Sequence, residues 1–346
     1  MSLAAAYMFG RKQGVDNSFV MVVDTSKAGS ASDSFELTGA VGDYDVVAKQ
    51  SGVEVETFSN LSGEQTITFS NGAGIYTLEL TPKEIGGFNR IKFNNGGDKL
   101  KITDITSWGN IAWSNFERAF FGCSNMTVTA TSAPNLSSVT NMFVMFFNCS
   151  SLSTLDVSNW DVSNITNMSL SFRNCPINTL DVSNWDVSNV INISQLFSNC
   201  SSLTTLDVSN WDVSSITNIS NMFRDCSSLT TLDVSNWDVS SITNMNSMFY
   251  GATNINTSFS NWIINNVTDF SSFMQFTTGL STANYDATLI GWEATLQATY
   301  PNGSGYTPTI SINFGGSQFT SGGAAETART SLINNFNWAI GDGGAV

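Results

Sequence analysis

The nonapeptide LDVSNWDVS occupies Leu155–Ser163 and begins again at Leu180, Leu206 and Leu232. A unit of 25 or 26 residues is too short to bury its own apolar face, so a chain built this way is stable only where successive units stack on one another. Residues 102–281 divide into seven such units. Whatever the molecule recognises, it meets a repeated surface.

Alignment of the units by column separates core from surface. One column reads Trp108, Pro134, Trp160, Trp185, Trp211, Trp237 and Trp262. A second reads Asn115, Asn141, Asn167, Asn192, Asn218 and Asn244, and ends in Asp269. A third runs from Phe120 through Phe146, Phe172, Phe197, Phe223 and Phe249 to Met274, and a fourth holds all five cysteines, Cys123, Cys149, Cys175, Cys200 and Cys226. The aromatic columns read as core stacks. The Asn column reads as a structural ladder whose amides supply donors and an acceptor to backbone groups left without partners at corners. The thiols read as small buried apolar groups, with disulfides between neighbouring units sterically feasible.

Within a unit, Leu155 and Val157 are expected to point inward from a short strand while Asp156 and Ser158 point outward. The outward set Asp156, Ser158, Asp181, Ser183, Asp207, Ser209, Asp233 and Ser235 is the candidate binding face. Stacked carboxylates repel by about 1 kcal/mol per pair in water. Solvent, backbone N–H groups or bound Ca2+ must therefore offset the Asp column; no other cofactor is expected. The segment after each Asn is expected to form a short helical turn that carries the Phe inward.

Charge narrows the partners. The net charge is −15, and between Thr127 and Tyr300 the only basic residues are Arg173 and Arg224. Nucleic acid and anionic lipid are disfavoured, because both require clustered Lys and Arg. No stretch approaches the roughly 18 apolar residues of a membrane span. The opening MSLAAAYMFGRK puts its charges after its apolar run, the reverse of an export signal. The expectation is a chain kept in the cytoplasm until released.

The remaining regions divide as 1–17, an arm carrying Arg11 and Lys12 as candidate assembly residues; 18–98, short alternating strands suggesting a β-sandwich; 99–281, the repeats; and 282–346, a closing region with helical patterns at Tyr285–Leu296 and Ala324–Phe336 around an ISINF strand.

The motif LDVSNWDVSNITNMSxxFxNCSSL resembles the repeat of BspA-type leucine-rich-repeat surface proteins. The segments ANYDATLIGWEATL, INFGGSQFTSGGAAETARTSLINNFNW and AIGDGG are similar to the closing segment of family members, and FNNGGDKLKITDITSWGNIAW to what precedes their first repeat. GIYTLELTP resembles the last strands of a PKD-like domain, although YDVVAKQSG stands where W-G-D-G is usual. The resemblance implies a mainly β fold: an Ig/PKD-like β-sandwich, a leucine-rich-repeat solenoid of about seven coils and a small α/β cap. It also implies adhesion. Joined to the missing export signal, it leads to the expectation of a virion surface protein, a phage tail, fibre or head-decoration component. Such a protein would bind other virion proteins through its N-terminal region and a host surface glycan or protein through the repeats, and is compatible with homo-oligomers. A bacterial cell-surface or secreted adhesin and a purely structural spacer are the alternatives. Catalysis is not expected, since the chain has no His and its carboxylates sit in copied environments.

Overall fold

The computed structural model describes residues 17–84 and 86–346. Six strands are built from alternating sequence in the first part: β1 Phe19–Asp24, β2 Ser34–Leu37, β3 Asp43–Gln50, β4 Val53–Ser62, β5 Gln65–Thr68 and β6 Ile75–Pro82. Alternation places Phe19, Met21 and Val23 of β1, Tyr44, Val46 and Ala48 of β3, and Tyr76, Leu78 and Leu80 of β6 in the core. β2 and β5 pair as a separate antiparallel ribbon. The main sheet has six strands in the order β4-β3-β6-β1-β7-β8, where β7 is Ile102–Ser107 and β8 is Thr127–Val128. Its last two strands come from the first repeats, and the β7–β8 pair is parallel. One sheet thus runs from the strand-rich region into the repeats.

A buried clasp fixes this junction. Lys101 and Asp98 are both fully buried, with 3.5 Å between Nζ and Oδ2. Lys101 Nζ donates to the carbonyls of Ser30, Ala31 and Ser34 at 3.1, 2.9 and 2.8 Å and to Ser30 Oγ at 2.9 Å. Asp98 accepts from Ser30 N–H, Ser30 Oγ and Glu36 N–H.

The leucine-rich-repeat solenoid expected for residues 99–281 is not what the chain forms. Between Val128 and Thr282 no residue lies in a strand or a helix, only in turns, isolated bridges and irregular segments, and the sheets are mixed. Leu155–Val157, expected as a short strand, belongs to no strand. The segment after each Asn is a run of overlapping four-residue turns rather than a helical turn. In the unit containing Phe172, Ser171 N–H donates to Met168 O, Arg173 N–H to Leu170 O and Cys175 N–H to Phe172 O. Leu170 and Asn174, third in the first and last of these turns, both have φ of 59°, as in a type II turn.

Each turn run is joined to the next unit by alternate N–H groups. Met168, Leu170, Phe172 and Asn174 donate to Asn192, Ser194, Leu196 and Ser198 of the following unit. The remaining N–H groups close the turns. The physical reason for turns in place of a helix is that both sets of donors are used, one along the chain and one across it. The second left-handed position falls on Gly122, Asn148, Asn174, Asn199, Asp225 and Gly251, residue types that tolerate positive φ. Asn174 and Asn199 also donate their amides to the Asn side chains one unit earlier, at 2.6 and 2.7 Å.

The core between these edges is aromatic. Successive Phe rings from Phe120 to Phe249 stack at 5.6–6.0 Å, a favoured range for offset pairs. Trp185, Trp211, Trp237 and Trp262 each donate the indole N–H to a Val carbonyl of the preceding unit, at 2.9–3.1 Å. The cysteines are free and buried. Cys149, Cys175, Cys200 and Cys226 donate S–H to the carbonyl of the Phe that opens the corresponding turn in the preceding unit, at 3.0–3.2 Å. Burial raises their thiol pKa values, that of Cys200 to about 12, so they are poor nucleophiles.

The chain closes with α1 Thr282–Thr299, β9 Ile310–Asn313, α2 Ala324–Asn334 and β10 Trp338–Gly341, with β9 and β10 pairing in parallel. Trp292 on α1 continues the indole column by donating to Phe259 O at 2.8 Å. Asp342, almost fully buried, accepts from Arg329 Nε at 2.7 Å and Tyr285 OH at 2.6 Å, tying α2 to α1.

Candidate functional site

The repeated Asp and Ser residues form local turns before they form anything else. In each unit one carboxylate oxygen accepts both the N–H and the hydroxyl of the Ser two residues on. For Asp156 and Ser158 the distances are 3.1 and 2.7 Å; for Asp181 and Ser183, 3.2 and 2.7 Å; for Asp207 and Ser209, 3.1 and 2.7 Å; for Asp233 and Ser235, 3.0 and 2.7 Å. This is the Asx-turn geometry that Asp adopts where the chain bends. The second Asp column, Asp161, Asp186 and Asp212, repeats it on Ser163, Ser188 and Ser214.

These bonds supply the compensation that stacked carboxylates need. The Ser hydroxyl, and then the Ser N–H, hold the Asp156, Asp207 and Asp233 carboxyls below the ordinary carboxylate range. All four Asp side chains are exposed. Among the described residues, no three His, Cys, Asp or Glu side chains gather as a metal ion would require.

The carboxylates line an open groove. Thr179, Leu180, Asp181, Thr205, Leu206, Asp207, Ser209, Thr231 and Asp233 enclose about 470 Å³. The Leu side chains are buried and form its floor, while Thr179, Thr205 and Thr231 are bridged in parallel. A second depression of about 320 Å³, with Thr129, Thr154, Leu155 and Asp156, continues it through the shared Thr179. The structure therefore brings Asp181, Asp207, Asp233 and Ser209 into one groove and Asp156 into its extension. Ser158, Ser183 and Ser235 lie outside the lining and serve their own Asp residues. The Thr column was in the sequence, immediately before each Leu, but alternation alone gave no reason to select it.

The Asn ladder sits elsewhere in the unit. Asn115, Asn141, Asn167, Asn192, Asn218 and Asn244 each accept, through Oδ1, the N–H two residues on, at 2.6–3.0 Å. The side chains are half-buried and use their acceptor alone, which corrects the expectation of a fully engaged amide. Asp269 does the same for Ser271, and its place in the column follows from that. Arg11 and Lys12 lie outside the described residues.

No helix among the described residues is long and apolar enough to cross a membrane. The repeats match the family described as "Mycoplasma protein of unknown function, DUF285" in three overlapping stretches, 92–178, 114–206 and 168–287. The chain belongs to that family. Membership agrees with a surface protein of the BspA-like kind. No curated protein matches the chain.

Proposed function

We propose that this DUF285 protein is a non-enzymatic surface-recognition protein that binds a surface glycan through the Thr–Asp groove. The observation that carries the reading is repetition of one polar geometry along the groove. Each unit offers a Thr and an Asp whose Oδ1 is committed to a Ser while Oδ2 makes no bond within the chain. A polymer with a regular array of hydroxyl donors suits such a row, and a neutral one avoids repulsion from the carboxylates. Catalysis would need two carboxylates in unlike environments, whereas these are copies.

Bacterial cell-surface display is the favoured location, supported by membership of a family described from Mycoplasma and by the BspA-like repeat. The test is retention on immobilised neutral polysaccharides. Wild-type protein should be retained by at least one, and the triple variant Asp181→Ala, Asp207→Ala, Asp233→Ala should not. Equal behaviour of the two would refute the groove. Immunogold labelling of producing cells and released particles places the protein: label on envelopes supports the adhesin, and label on virions replaces it with a tail, fibre or decoration role.

A further inference from the structure

We propose that a second edge of the repeats, the turn edge carrying Arg173, Ser198 and Arg224, is a binding site for an acidic, carboxylate-bearing polysaccharide, distinct from the Thr–Asp groove. The two Arg are the only basic residues between Thr127 and Tyr300, and both fall in one column on the turn edge. That column reads Phe121, Phe147, Arg173, Ser198, Arg224 and Tyr250, with Phe276 beside its end. Two aromatic residues thus flank each side of an Arg-Ser-Arg centre.

The side chains form two stacks, Phe121–Phe147–Arg173 and Arg224–Tyr250–Phe276, with Ser198 between them in the column. Phe121 and Phe147 rings lie 5.0 Å apart. The Arg173 guanidinium lies over Phe147 at 5.2 Å and that of Arg224 over Tyr250 at 4.1 Å. Tyr250 meets Phe276, which is 64% exposed, at 5.0 Å. In both guanidinium groups Nη2 makes no hydrogen bond within the chain, which leaves that nitrogen for an anion, and aromatic faces beside it suit the C–H face of a sugar.

The polar atoms at the centre are unevenly used. Arg173 makes no ion pair; its terminal nitrogen bonds to the Gln195 amide oxygen, and its Nε has no partner. Ser198 is fully buried, and its hydroxyl has no hydrogen-bond partner. Arg224 pairs with the adjacent Asp225 at 3.2 Å and donates weakly to Asn221 at 3.4 Å. An Arg without an ion pair, two units from a second Arg in a chain of net charge −15, calls for an anion, and a carboxylate accepts N–H bonds from a guanidinium. Neither Asp column forms an ion pair with these residues, and at about 0.15 M salt the Debye length of about 8 Å screens the more distant carboxylates.

The test is affinity electrophoresis of the full chain in gels containing polygalacturonate, with dextran as the neutral control, at 0.15 M salt. Wild-type protein should be retarded by polygalacturonate and not by dextran. Arg173→Gln and Arg224→Gln should each weaken binding at least about tenfold, the loss expected from one charge-assisted contact. Arg173→Lys should bind with intermediate strength, since it keeps charge and loses the fork. Asp181→Ala, in the groove, should bind as wild type, which separates this site from the other. Circular dichroism checks that each variant is folded. Absence of retardation for wild type, or equal retardation of folded Arg173→Gln, overturns the proposal.

Discussion

Replacing Lys101 by Met tests how the strand-rich region is fastened to the repeats. The substitution keeps approximate volume and removes the ammonium that three backbone carbonyls, Ser30 Oγ and Asp98 share. Asp98 would keep its three donors from Ser30 and Glu36 but would remain a fully buried charge without a counter-ion. Breaking a buried pair from one side costs about 3–5 kcal/mol, because the remaining charge is uncompensated. Against a typical total of about 5–15 kcal/mol, the variant should fold but be markedly weaker. Urea titration followed by Trp fluorescence measures the loss, and amide exchange at Ile102 and Asp104 of β7 should rise first. The double variant Lys101→Met, Asp98→Asn should recover part of the loss. A loss below about 1 kcal/mol in the single variant, within the range of an exposed ion pair, would refute the clasp.

Three further outcomes follow from the same geometry. Trp211→Phe removes the indole bond to the buried Val182 carbonyl and should cost about 1–3 kcal/mol, whereas Trp160→Phe, whose indole N–H has no partner, should cost measurably less in the same urea assay. The Asp156, Asp207 and Asp233 carboxyls have folded pKa values below their unfolded ones. Their contribution to stability is therefore present above the unfolded value of about 3.9 and is lost as pH falls through the folded values. The melting temperature should drop from about pH 4 downward, and Ser209→Ala should move the Asp207 titration, followed by carboxyl NMR, back up toward the ordinary range. Ellman's reagent should leave all five cysteines unmodified in native protein and titrate them in denaturant, because burial raises each thiol; rapid reaction of native thiols would show that the units separate.

Much of the candidate site was legible one column at a time. Asp followed two residues later by Ser is a local turn signature, and the Asx turns at Asp207 and Asp233 need nothing beyond the tetrapeptide. The α1 and α2 helices follow from apolar spacing that puts Tyr285, Leu289, Trp292 and Leu296 on one face and Ala325, Ala328 and Leu332 on another. The left-handed residues before the cysteines were readable too, as a column of Gly, Asn and Asp. The other left-handed column was not: it contains Arg118, Val144, Leu170 and Gln195, and a β-branched residue such as Val144 resists that conformation.

The sequence by itself determined the spacing of the units, the identity of the buried columns and the local turns at each Asp, because periodicity and short-range hydrogen bonding are properties of neighbouring residues. Only the tertiary structure decided that the segment after each Asn becomes a run of turns rather than a helix, since half of its N–H groups are satisfied by the next unit and no single unit contains both partners. It also decided that β7 and β8 extend the sheet of the strand-rich region, and that Arg173, Ser198 and Arg224 share an edge. Those relations exist only once units 25 or 26 residues apart lie in contact, where backbone hydrogen bonds between layers outweigh the preferences of individual residues.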